Sequence, residues 1–244
     1  ESLHMSILKS AAFATIPWIF ASLADLLIGG FLVDYLIGRG LDETKVRKTA
    51  IACGMSAGLA VFGAGEGFVL QSRIGNSPWT VLAEGVSRTV GISIGVATFA
   101  VSASVLLAWW PLRQRPGLGT LANAVVIAGA LQATAHWLPA ARNFSSGATY
   151  AVAGTLFVGL GSGMYLTTGL GPGPRDGLMT SLHTRTGFPV ARIRLAIEVT
   201  VLAAGWLLGG KTGLGTVIFA LLVPRAVAWG LALVAAVARW TTRK

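Results

Sequence analysis

Gly63, Gly65, Gly67, Leu70, Gly75, Pro78, Leu82 and Gly91 recur 96 residues later as Gly159, Gly161, Gly163, Leu166, Gly171, Pro174, Leu178 and Gly187. The register holds without a gap through Trp110 and Trp206 to Gly117-Leu118-Gly119-Thr120 and Gly213-Leu214-Gly215-Thr216. From Ala60 to Val125, 19 of 66 positions match their mates, where composition alone gives about five or six. Each copy reads as an apolar helix, a short polar segment, a second helix, a Gly-Leu-Gly-Thr turn and a third helix. Whatever this chain folds into must therefore contain the same unit twice.

The composition places that unit in lipid. The chain has 244 residues, 54% of them hydrophobic and 11% charged, with a mean hydropathy of +0.71. A soluble domain carries charge on about a quarter of its residues, so a soluble enzyme, a coiled coil and a disordered chain are excluded. Apolar stretches at 11–37, 51–70, 91–112, 118–138, 147–168, 195–209 and 214–237 predict seven spans. The sixth reaches spanning length only if its helix extends back over residues 189–194. With the short polar segment not crossing, each copy has three spans, and an odd number inverts the second copy in the membrane. The expected fold is thus all-α: a polytopic integral membrane protein of about seven transmembrane helices, with two inverted three-helix repeats. Residues 1–56 form an N-terminal helix and basic loop, 57–146 the first repeat, and 147–244 the second repeat with a basic C-terminus.

Net charge is +10. With seven crossings, one side collects 13 Lys and Arg, among them Arg39, Lys45, Arg47, Lys48, Arg113, Arg115 and Arg175; the other collects five, and Arg225 stays inside a span. By the positive-inside rule the first side is cytoplasmic, the N-terminus outside and the C-terminus inside. The charge is thereby explained as topology and not as a nucleic-acid surface. Cys53 is the lone cysteine, and His4, His136 and His183 are scattered, so neither a disulfide nor a metal centre is expected. His136 reads as an interfacial residue beside Trp137. No Ser-His-Asp or His-Glu-x-x-His set is present, and neither an enzyme nor a cofactor is predicted.

The polar segments are the candidate site. Ser77 is suited to cap a helix whose first residue is Pro78, and Pro174 repeats that signal. Trp79, Leu82 and Val86 share one face, so the first of these helices either lies flat at the interface or dips inward as a half-helix. In the second case its free N–H groups and positive end point at an anion, with Arg175 adding to the field. The glycines at 63, 65 and 67 and at 159, 161 and 163 read as close-packing positions and not as a phosphate loop, since no Lys-Ser/Thr follows. Asp25, Glu66, Glu198 and Arg225 are ionisable residues within predicted spans. Glu198 and Arg225 are expected to pair across neighbouring helices, and Glu66, whose mate is Ser162, is a candidate coupling carboxylate.

Three stretches carry a resemblance: Gly75-Asn76-Ser77-Pro78-Trp79-Thr80-Val81-Leu82, Arg113-Gln114-Arg115-Pro116-Gly117-Leu118-Gly119-Thr120, and Gly171-Pro172-Gly173-Pro174-Arg175-Asp176-Gly177-Leu178-Met179-Thr180. From about Gly58 to Trp240 the chain resembles the YczE/YyaS/YitT-like bacterial membrane proteins. That likeness implies a bacterial inner-membrane location and a permease-like role. Upstream, Ile16-Pro17-Trp18, Ala24-Asp25-Leu26-Leu27-Ile28-Gly29-Gly30, Val33-Asp34-Tyr35-Leu36 and the run from Arg39 to Lys48 resemble a fragment of a major facilitator of the anion:cation symporter type, as in a fusion or a gene remnant. The expectation for the whole is a small secondary transporter or permease for a small, anionic solute. Ser77, Trp79, Arg175 and Asp176 are the predicted binding residues, and Glu66, Glu198 and Arg225 the coupling or polar-network groups. A non-transporting membrane scaffold or modulator of a partner protein is the alternative. On the transport reading the partners are the lipid bilayer and a small-molecule solute, with no nucleic acid, and a homo-oligomer stays open.

Overall fold

The computed structural model describes residues 33–241, which form nine helices joined by short turns, with no strand among them. A short α1 (Val33–Gly38) leads into α2 (Glu43–Gln71). The first repeat continues with α3 (Pro78–Val90), α4 (Ile94–Ala108) and α5 (Leu118–Trp137). The second contains α6 (Phe144–Leu166), α7 (Pro174–Thr186), α8 (Val190–Leu207) and α9 (Leu214–Thr241). Ser77 caps α3 by accepting from the Thr80 N–H at 3.4 Å, and Pro78 and Pro174 open α3 and α7 as their fixed φ favours.

Glycine contacts give the direction of each copy. A Cβ at Gly58 would lie 3.1 Å from the Gly161 carbonyl oxygen, and one at Gly65 would lie 2.6 Å from that of Gly154. As the α2 residue number rises its α6 partner's falls, so the two helices are antiparallel. Gly58 and Gly154, like Gly65 and Gly161, are mates in the duplication, so this crossing lies on a pseudo-two-fold axis. Gly63 meets Ile127 and Gly67 meets Thr134, and these numbers rise together, so α5 runs parallel to α2. Gly159 against Ala226 and Gly163 against Gly230 set α9 parallel to α6 in the same way. The alternating glycines thus divide their labour: the outer two of each trio seat the third helix of their own copy, and the middle one seats the other copy. Small residues let backbones approach where lipid supplies no hydrophobic drive.

The turns repeat the symmetry. The Gly119 N–H donates to the Leu170 carbonyl at 3.2 Å, and the Gly215 N–H to the Ile74 carbonyl at 2.9 Å. Each Gly-Leu-Gly-Thr turn is therefore fastened to the segment that enters the half-helix of the other copy. Gly75 and Gly171, at φ +127° and +126°, hold those segments in a left-handed conformation that residues with a Cβ rarely adopt.

Four helices are long and apolar enough to cross a membrane: α2, α5, α6 and residues 214–237 of α9. The pair α3 and α4, bent by 115° at Gly91, gives a fifth if counted as one broken span. Seven separate crossings are therefore not found among the described residues. α4 has 15 residues, fewer than the 22 expected at 91–112, and α8 carries Arg192, Arg194 and Glu198 within its 18 residues. α8 does extend back over the Pro189 lead-in. The first predicted span, with Asp25, lies almost wholly outside the described residues. Leu107, Leu118, Val125, Leu207 and Leu221 remain more than half exposed, as side chains facing lipid do.

Candidate functional site

The start of α3 is buried within the bundle and not on its surface. Its first turns, with Pro78, Trp79, Thr80 and Val81, are buried, and its N-terminus meets Glu66, five residues before the end of α2. Five residues of helix are about 7.5 Å, so the half-helix begins well inside the bundle. Glu66 is fully buried. Its Oε2 accepts from Ser77 Oγ and from Thr80 Oγ1, both at 2.6 Å. Ser77 thereby caps the helix and fastens a carboxylate to its positive end, which is where a helix favours an anion. Glu66 Oε1 has no hydrogen-bond partner; the nearest cation is Arg175, whose Nη1 is 4.0 Å away.

Arg175 comes from the equivalent position of the other half-helix, since it is the mate of Trp79. The two meet across the pseudo-axis: the guanidinium lies over the Trp79 ring, 4.9 Å from its centroid. Such a contact contributes about 0.5–2 kcal/mol. Asp176, the mate of Thr80, accepts from the Tyr165 hydroxyl at 2.9 Å. Both half-helices therefore carry a carboxylate in or against their first turn.

These groups line a single cavity of about 220 Å³. Ser77, Trp79, Arg175, Asp176, Glu66 and Glu198 all contribute to its wall. The remaining predicted residue, Arg225, does not: it is exposed on α9 and donates to the Leu221 carbonyl one turn back, at 3.2 Å. The expected Glu198–Arg225 pair is likewise absent. Glu198 pairs with Arg194, at 2.8 Å on the same helix, because α8 leans on α3 and scarcely meets α9.

Sequence reading missed Thr80, Tyr165, Asn123 and Arg194 in this wall and its supports. Thr80 carried a usable signal, being the mate of Asp176. A second buried carboxylate, Glu84, was missed too. It accepts from Asn76 Nδ2 at 2.6 Å, the Lys211 N–H at 2.9 Å and Arg88 at 2.6 Å, and so clamps α3 to the turn after α8.

Helical architecture, lipid-facing surfaces and antiparallel copies define a multi-pass membrane protein with a polar centre. Within that class the chain belongs to DUF6198, a family of unknown function whose model matches residues 50–231. It is 40% identical over 177 residues to an uncharacterized protein of Haemophilus influenzae, covering 72% of this chain and 81% of that one. It is also 31% identical over 169 residues to the uncharacterized membrane protein YczE of Bacillus subtilis, covering 68% and 78%. A partial similarity, 33% identity over 101 residues, links 41% of the chain to 20% of the uncharacterized transporter YybO of Bacillus subtilis. That overlap does not support a facilitator origin for residues 6–56. No solved structure matches the chain.

Proposed function

We propose that this protein is a small secondary transporter of the bacterial inner membrane, and that its solute enters the cavity between the two half-helices and presents an anionic group to Arg175. The observation that carries the reading is the meeting of Trp79 and Arg175, equivalent residues of antiparallel copies, over one polar cavity. Secondary transporters built from inverted repeats place their sites there, at half-helix N-termini near the midplane.

An asymmetry between the copies supports a moving part. In the first repeat α4 packs on α5, with the Gly95 N–H donating to Gln132 Oε1 at 2.8 Å. In the second the equivalent α8 stands off α9 and packs on α3 instead. Exchange of these two arrangements opens the cavity first on one side and then on the other, with the basic starts of α2 and α5 facing the cytoplasm.

The test is flux into proteoliposomes across a panel of labelled small solutes, comparing wild type with Arg175→Ala. Substrate-dependent flux that falls at least tenfold in the variant supports the reading. Absence of flux from correctly folded wild-type protein across the whole panel favours the scaffold alternative.

A further inference from the structure

Each half-helix start already has a carboxylate of the protein in or against its first turn. Glu66 sits at the start of α3, held by Ser77 and Thr80, and Asp176 lies in the first turn of α7, held by Tyr165. Glu198 adds a third carboxylate to the cavity wall, against two guanidiniums, Arg175 and Arg194. With one more carboxylate than guanidinium, the cavity repels a polyanion.

Two groups nevertheless lack hydrogen bonds. Arg175, a guanidinium built for paired donation, gives none to the described residues: Glu66 at 4.0 Å and the Trp79 face are its neighbours. Glu66 Oε1 is fully buried and receives none. A buried carboxylate oxygen with no donor costs several kcal/mol. A donor and an acceptor face each other just beyond bonding distance, and a single ligand with a carboxylate and an N–H at adjacent positions satisfies both. Around them Phe62, Ile127, Val158, Phe219 and Val223 give the cavity apolar walls.

We infer that the solute is a zwitterion: a small α-amino acid with an apolar side chain, its carboxylate on Arg175, its ammonium on Glu66 Oε1 and its side chain against those walls. This rests on the transport reading above and names its substrate class. A zwitterion adds no net charge to the cavity and sets each of its ends against a group of opposite sign. The ammonium also replaces Arg175 as the cation beside Glu66, freeing the guanidinium for the carboxylate.

The experiment is equilibrium binding of radiolabelled L-valine to the purified full chain in detergent, with competition by isovalerate, isobutylamine and valine betaine. These lack respectively the ammonium, the carboxylate and every N–H on nitrogen. L-valine is expected to bind at least tenfold tighter than all three, since each leaves one buried group unsatisfied, and a tenfold ratio is about 1.4 kcal/mol. Glu66→Gln is expected to weaken L-valine by tenfold or more without weakening isovalerate, whose carboxylate loses a repelling neighbour beside Arg175. The competition series needs only wild-type protein, so it stands even if the variant does not fold. Isovalerate competing as well as L-valine overturns the zwitterion and leaves an anion transporter. Binding of none of the four overturns the zwitterion inference; if flux is also absent, the transport reading falls with it.

Discussion

The two repeats share a frame and differ in what they place on it. Matching glycines at 63, 65 and 67 and at 159, 161 and 163, with paired prolines and Gly-Leu-Gly-Thr turns, give the copies one backbone plan. Yet at the cavity Glu66 faces the place of Ser162, Trp79 that of Arg175, and Thr80 that of Asp176. Glycines that touch backbone are the same in both copies, as close packing requires, whereas positions that touch the cavity differ and carry complementary groups. A symmetric cavity offers the same groups at both ends; this one offers different groups at its equivalent positions.

The frame is the more fragile half of the comparison. Gly65→Leu forces a side chain into the Gly154 backbone, where even a Cβ lies 2.6 Å from the carbonyl oxygen. A loss of more than about 4 kcal/mol is expected, read as aggregation on size-exclusion chromatography or loss of the thermal transition. Next, Glu66→Ala strips the acceptor from two buried hydroxyls and the anchor from α3. It should destabilise by about 3 kcal/mol and abolish solute binding, whereas Glu66→Gln should recover most of the stability.

Smaller effects separate equivalent positions. Gly75→Ala and Gly171→Ala share a left-handed φ, but a Cβ at Gly75 meets the Gly213 backbone nitrogen at 2.6 Å, while one at Gly171 meets the Thr120 hydroxyl at 3.0 Å. The first should cost more, by about 1 kcal/mol, in thermal unfolding; equal losses would argue that the two entrances are packed alike. Arg225→Leu should change stability by less than about 0.5 kcal/mol and leave binding intact, because the side chain is exposed and bonds only within its own helix.

Much of the frame was legible because it depends on local rules and on the duplication. Ser77-Pro78 announced a helix start by capping chemistry, and the alternating glycines announced close packing. An odd number of spans per copy implied inversion; the antiparallel α2 and α6 show the inversion, while the described helices of spanning length number four or five. Six of the seven proposed site residues were placed at one cavity by simple logic: polar groups in apolar spans, and prolines that interrupt them. The failures have a common cause. Pairing of Glu198 with Arg225 presumed that α8 and α9 touch, and nothing in a linear sequence reveals that α8 leans on α3. Arg194, one turn from Glu198, was the nearer partner by helix geometry. Arg88, four residues on, was a partner for Glu84 that helix geometry offers, but the donors from Asn76 and the Lys211 backbone that make Glu84 a clamp are assembled only by the folded chain.

Exchange of packing between the two copies is read most directly from paired spin labels. On a Cys53→Ser background, labels at Phe99→Cys with Val125→Cys report the α4–α5 separation, and labels at their mates, Leu195→Cys with Leu221→Cys, report the α8–α9 separation; all four positions are exposed. In native membranes each pair should show two distances, one short and one long, in opposite proportions for the two pairs, and solute should shift both balances together. A single distance for each pair, unchanged by solute, would contradict the exchange.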